Sequence, residues 1–196
     1  MIINTVHRQI ILTTLSILAE AQKNDPVAQR KIFDTYGKQL YRLAKRYLSD
    51  HDLAQDAVAE SFYIVLQKVA AASFIAVPPF EMWMKRILVN ECLKIIRRDR
   101  RFAFLPDQEE VSIAVVDNDL IESLTAETIF QVIEQLPVGY RTVFNLYEIE
   151  GYTHPEIAKL LGISTGTSKS QLSKAKSMLQ KRIIELDPIY AQRKII

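Results

Sequence analysis

The stretch HPEIAKLLGISTGTSKSQLSKAK, running from His154 to Lys176, decides how the chain is read. Two short helical patterns meet there at Gly162. Just upstream, Thr153 and Glu156 have capping-box spacing, with Thr153 as the N-cap and Glu156 reaching back to it. Ile157, Leu160 and Leu161 supply the core contacts of a short first helix. Gly162 ends that helix, because the left-handed position after a helix favours glycine. Ile163 plugs the turn, and Ser164 is placed to cap the helix that follows. A short helix, a glycine turn and a longer helix form the grammar of a helix-turn-helix.

At 100° per residue, Ser168, Leu172, Ala175, Leu179 and Ile183 fall within one narrow arc of the second helix and are expected to face the core. Gly166, Thr167, Ser170, Ser173, Lys174, Ser177 and Lys181 lie opposite, with Lys169 on the flank. Small residues let such a helix sink into a groove, and hydroxyls and lysines reach base edges and phosphates. A recognition helix in the major groove needs those properties. A solvated amphipathic helix would also carry lysines. The capping box, the glycine turn and the lack of any acid from Lys159 to Arg182 weigh toward DNA.

Outward from this stretch, charge is sorted into blocks. The 196 residues carry a net charge of only +2. Yet seven Lys/Arg lie between Lys85 and Arg101, against Glu91 and Asp99. Eight acids and no base lie between Phe102 and Gln135, and six bases and no acid between Lys159 and Arg182. Such sorting presents separate surfaces to separate partners. Cys92 is the sole cysteine, so an internal disulfide and a multi-cysteine metal site are excluded. His7, His51 and His154 are scattered and form no ligand cluster. The apolar run IILTTLSILA near the N-terminus is too short to span a bilayer and is read as an amphipathic helix, with the protein in the cytoplasm.

The remainder also reads as helix. Asp25 and Pro26 signal a start, followed by an apolar stripe of Ile32, Phe33, Tyr36, Leu40, Leu43, Ala44 and Tyr47. A second helix, about 53–69, stacks Asp52, Asp56 and Glu60 at intervals of four. Like charges so placed are destabilising, and Glu60 lies too far in to gain from the helix N-terminus, which points to a docking face for a basic partner. Pro78 and Pro79 are expected to stop any helix, with a new one running from Phe80 to about Arg98. In it Trp83, Ile87, Leu88, Cys92 and Ile95 or Ile96 can line a buried stripe, while Arg86, Asn90, Lys94, Arg97 and Arg98 fall on other faces. Cations together with an aromatic suit single-stranded nucleic acid; Trp83 serves equally well as core. Residues from Phe102 to about Ser123 form an acidic linker. The expected fold is all-α: an N-terminal helical domain (1–102), the flexible acidic linker (103–122) and a C-terminal helix-turn-helix domain (123–196).

In this order the segments resemble the bacterial sigma factors of RNA polymerase, specifically the small extracytoplasmic-function group, over about residues 11–186. LPVGYRTVFNLYEIEGYTHPEIAKLLGISTGTSKSQLSKAK is similar to that family's promoter-reading C-terminal domain, DAVAESF to its core-polymerase-binding helix, and FEMWMKRILVNECLKIIRR to its promoter-melting helix. The resemblance implies that Asp56, Glu60 and Phe62 dock on the clamp helices of the largest polymerase subunit. It implies that Trp83, Arg86 and Asn90, with Lys94 and Arg97 on the same basic helix, melt and read the −10 element, and that Lys169, Ser170, Ser173 and Lys174 face the −35 element. It implies that the acidic linker threads the nucleic-acid channel of the polymerase. The partners so implied are core RNA polymerase, through its largest subunits, and promoter DNA in double- and single-stranded form; an anti-sigma factor is left open, and no membrane, cofactor, metal or catalytic residue is expected. Two rivals remain from the residues alone. One is a stand-alone helix-turn-helix regulator, which should bind duplex DNA tightly by itself. The other is a decoy that holds polymerase without reading DNA.

Overall fold

The computed structural model describes residues 14–72, 74, 76–98 and 126–186. The expected acidic linker, 103–122, and the start of the N-terminal helix lie outside the described residues. Among the described residues every regular element is helical. The helices are α1 (14–22), α2 (Pro26–Tyr47), α3 (His51–Val69), α4 (Val77–Arg98), α5 (Ala126–Glu134), α6 (Val138–Phe144), α7 (His154–Leu161) and α8 (Thr165–Leu186). The chain divides into two units. The first comprises Met1–Lys45 and Asp50–Ile95, the second Arg46–Ser49 and Ile96–Ile196.

In the first unit, α2 starts where the sequence places it: the Asp25 carboxylate accepts from Val27 N–H at 2.9 Å, and Pro26 fills the first helical position. α3 starts at His51, two residues earlier than expected, because Asp50 accepts from Asp52 and Leu53 N–H at 2.9 and 3.1 Å. Pro78 and Pro79 do not stop a helix. They sit in the first turn of α4, where the N–H groups that proline lacks would have no helical partner. The buried stripe of α4 is Phe80, Met84, Leu88, Cys92 and Ile96, with Val89 and Leu93 also covered. Trp83, Ile87 and Ile95, expected in that stripe, are only half-buried. Nearly every turn of α4 carries apolar residues on more than one side, so neighbouring helices rather than periodicity set its phase. Phe33 also departs from expectation: it is 43% exposed, its ring lying 4.7 Å from that of Phe62.

In the second unit, α8 packs against α5, α6 and α7. Val132, Ile133 and Leu136 meet Ala175 and Leu179 in one buried cluster. The buried guanidinium of Arg141 donates to Glu134 O at 2.5 Å and Leu136 O at 3.3 Å, closing carbonyls left open where α5 ends. α6 runs on into a π-turn, Asn145–Ile149, marked by the bond from Glu150 N–H to Asn145 O at 2.9 Å. Gly151, at φ +76°, then redirects the chain.

Candidate nucleic-acid interface

Local chemistry builds the helix-turn-helix residue by residue. The Glu156 carboxylate accepts from Thr153 N–H at 2.8 Å and from Thr153 Oγ1 at 2.7 Å, and these bonds hold its carboxyl below the usual range. Ile157, Ala158 and Leu161 are buried. Gly162 takes φ 70° and ψ 34°, and the following Ile163 N–H reaches back to Ala158 O at 3.1 Å. Ser164 Oγ accepts from Thr167 N–H at 2.9 Å and so caps α8. The capping box, the glycine turn and the serine cap are thus where the sequence puts them.

Along α8 the expected inner arc, Ser168, Leu172, Ala175, Leu179 and Ile183, is buried throughout. Opposite it, Gly166, Lys169 and Lys181 are exposed, and Ser170, Lys174 and Ser177 are half-buried. Ser170 Oγ donates to Thr167 O at 3.0 Å. Ser173 departs from its expected outward position: it is 8% exposed. The reason is that α8 is flanked by three helices, so its covered arc is wider than a one-sided stripe. Gln171 is buried for the same reason. Lys176 pairs with Glu148 of the π-turn at 2.7 Å.

The other expected contact residues lie on two helices of the N-terminal half. On α4, Arg86, Asn90, Lys94, Arg97 and Arg98 are exposed, while Glu91 is buried and holds Lys94 at 2.7 Å. Trp83 is half-buried, its ring 5.1 Å from Phe74 and 6.1 Å from Phe80, so part of its face is spent on packing. On α3, Asp56 and Glu60 stand exposed one turn apart, with Gln55, Ala59 and Tyr63 beside them in solvent. Phe62, expected to dock on a partner, is instead buried against Phe33. Ser173 and Phe62 therefore shape their helices from inside rather than present side chains to solvent.

One contribution escapes the sequence. His154 heads α7 with its ring stacked on Tyr147 at 4.5 Å and 22°, and its Nδ1 lies 2.9 Å from Ser168 Oγ. Burial and the nearby Lys169 hold its pKa below 6.5; Glu148 opposes this and Lys176 adds to it. No spacing rule joins residues 154 and 168, which meet only because the glycine turn folds α7 back on α8. Among the described residues no group of three His, Cys, Asp or Glu could hold a metal ion, and no helix is long and apolar enough to cross a membrane.

Comparison with known proteins matches the sequence to one family in both halves. Sigma-70 region 2 matches residues 32–102, and sigma-70 region 4 matches residues 126–179. The chain is 29% identical to the ECF RNA polymerase sigma factor SigW of Bacillus subtilis, over 86% of this chain and 96% of the relative. It is 25% identical to the ECF RNA polymerase sigma-E factor of Haemophilus influenzae, over 88% of this chain and 96% of the relative. It is 27% identical to the ECF RNA polymerase sigma factor SigM of Mycobacterium tuberculosis, over 84% and 82%. With both family regions present in order, this protein belongs to the sigma-70 family, in its extracytoplasmic-function group.

Proposed function

We propose that this sigma factor, which directs core RNA polymerase to promoters and starts transcription there, divides that work among three helical faces. Asp56 and Glu60 on α3 offer the polymerase an acidic face. Arg86, Asn90, Lys94 and Arg97 on α4, with the accessible edge of Trp83, engage the −10 element as its strands part. Flipping a base out costs a few kcal/mol of stacking, which contacts to phosphate and a receptive pocket must offset. Lys169, Ser170 and Lys174 on α8 face the −35 duplex. Lysine meets a phosphate as a point charge and reads guanine less strictly than arginine would.

The observation that carries this reading is the open outer face of α8, held by the capped glycine turn, with Lys169 in solvent and no acid on the helix before Glu185. The division at 1–102, 103–122 and 123–196 follows from the same reading. The acidic segment between the domains has the charge of a nucleic-acid strand, which suits a channel built to hold RNA. The phosphodiester chemistry belongs to the polymerase. This chain contributes no catalytic group, and it acts in the cytoplasm where polymerase and promoter meet.

Two pairs of substitutions test the division. Lys169→Ala with Lys174→Ala should lower promoter-directed transcription and leave core binding intact. If both lysines meet phosphates, the log–log salt slope of promoter binding falls by about 2. Asp56→Lys with Glu60→Lys should lower core binding itself. Loss of core binding in the lysine pair, or unchanged core binding in the Asp56/Glu60 pair, would overturn the assignment.

A further inference from the structure

His154 is a titratable side chain that belongs to none of the three functional faces. Three elements meet at its ring. The backbone places it at the head of α7, Tyr147 of the π-turn stacks on one face, and Ser168 of α8 hydrogen-bonds its Nδ1. Ser168 is fully buried, so its hydroxyl requires a partner inside the protein, and the imidazole is that partner. A second link runs alongside: Glu148, next to Tyr147, holds Lys176 of α8 at 2.7 Å. α8 is thus held at two points about two turns apart, by His154 of α7 at Ser168 and by Glu148 of the π-turn at Lys176.

The position of the first grip matters for function. Ser168 immediately precedes Lys169. A helix turns 100° per residue, so whatever fixes Ser168 against α7 also fixes the direction in which Lys169 leaves the helix. Base and phosphate contacts are short and directional, so a small rotation of α8 changes which of them are made. The ring is well suited to hold that rotation. It stays neutral around pH 7, keeping one nitrogen as donor and one as acceptor, so the Ser168 hydroxyl is satisfied in either orientation.

We propose that His154 is a positioning residue for promoter recognition: through Ser168 it sets the rotation of α8, and with it the placement of Lys169 and Lys174 against the −35 duplex. This rests on the reading of α8 as the promoter-facing helix.

The test uses holoenzyme reconstituted from core polymerase and the full chain, on two templates that differ only in an intact or a scrambled −35 element. The readout is the ratio of binding to the two. His154→Phe keeps a ring for the Tyr147 stack and removes the hydrogen bond. His154→Asn keeps a polar atom where Nδ1 stood and removes the ring. Ser168→Ala deletes a single oxygen and leaves the packing of α8 in place. One net hydrogen bond can bias the orientation of α8 by no more than about fivefold, so the ratio should fall by up to about fivefold for His154→Phe and for Ser168→Ala. The double variant should fall no further than either single one, because both remove the same bond. His154→Asn should stay within about twofold of the parent. An unchanged ratio in His154→Phe and Ser168→Ala, or losses that multiply in the double variant, would overturn the proposal. A parent holoenzyme that showed no preference for the intact −35 element would instead overturn the reading of α8.

Discussion

Adding one methyl group at two glycines should move the stability of the two units in opposite directions. Gly162 sits at φ 70° and ψ 34° between α7 and α8, and a Cβ built there meets nothing within 4 Å. The cost of Gly162→Ala is therefore conformational and not steric. Holding an L-residue in the left-handed region costs roughly 1–2 kcal/mol. The alanine also stiffens the unfolded chain, which returns roughly 0.4–1 kcal/mol. The net loss is about 1 kcal/mol, equivalent to a drop of roughly half a molar in the urea midpoint of the second unit. Asparagine tolerates this backbone better, so Gly162→Asn should lose less. Gly37 lies inside α2, where an added Cβ would rest 3.9 Å from the Phe33 ring in ordinary contact. Gly37→Ala should stabilise the first unit by roughly 0.5–1 kcal/mol. Trp83 is the sole tryptophan, so its fluorescence reports the first unit, and circular dichroism of the whole chain adds the second. Gly162→Ala unfolding at or above the parent midpoint would refute the left-handed turn on which the helix-turn-helix rests.

Three further outcomes follow from the ionisable groups. The folded-state pKa of His154 is held below 6.5 by burial, by Lys169 and by Lys176, against the pull of Glu148; the neutral ring thus favours the fold above pH 6.5, and that contribution is lost as pH falls through and below 6.5. Urea melts of the parent minus those of His154→Asn should show that loss, and a difference independent of pH would contradict it. The Glu156 carboxyl is held below its usual value by Thr153, so its contribution is present above about pH 4.5 and lost as pH falls through the folded value. Glu156→Gln should remove that acid-side dependence from the melting curve, and retention of the full dependence would contradict the capping geometry. Burial pushes the Cys92 thiol up to about 12, so a thiol reagent at pH 8 should label it only at the rate at which the first unit opens. Rapid labelling of the native protein would show that the α4 core is not closed.

Features confined to one helical turn were legible in the sequence. Asp25 with Pro26, Thr153 with Glu156, Gly162 and Ser164 each answer to backbone groups within four residues, so no neighbour can change their meaning. The inner arc of α8 was legible too, because one face of that helix is strongly apolar. Legibility failed where the outcome depended on what packs alongside. Apolar residues occupy more than one side of α4, so its periodicity put Trp83 in the buried stripe where the fold puts Met84, and the first-turn prolines read as a break. Ser173 turned inward because three helices cover more of α8 than a one-sided stripe implies, and Phe62, placed at the docking face by resemblance and not by periodicity, packs on Phe33 of α2. The pairing of His154 with Ser168 left no trace in the sequence, since it spans fourteen positions and depends on the angle of the glycine turn.

The most direct measurement is a map of transcription start sites made with core polymerase and a library of random promoters, with and without this chain. Starts should require the chain and lie downstream of one shared motif, made of two blocks at a fixed spacing. Starts independent of the chain, or starts sharing no motif while the chain alone binds duplex DNA tightly, would contradict that expectation.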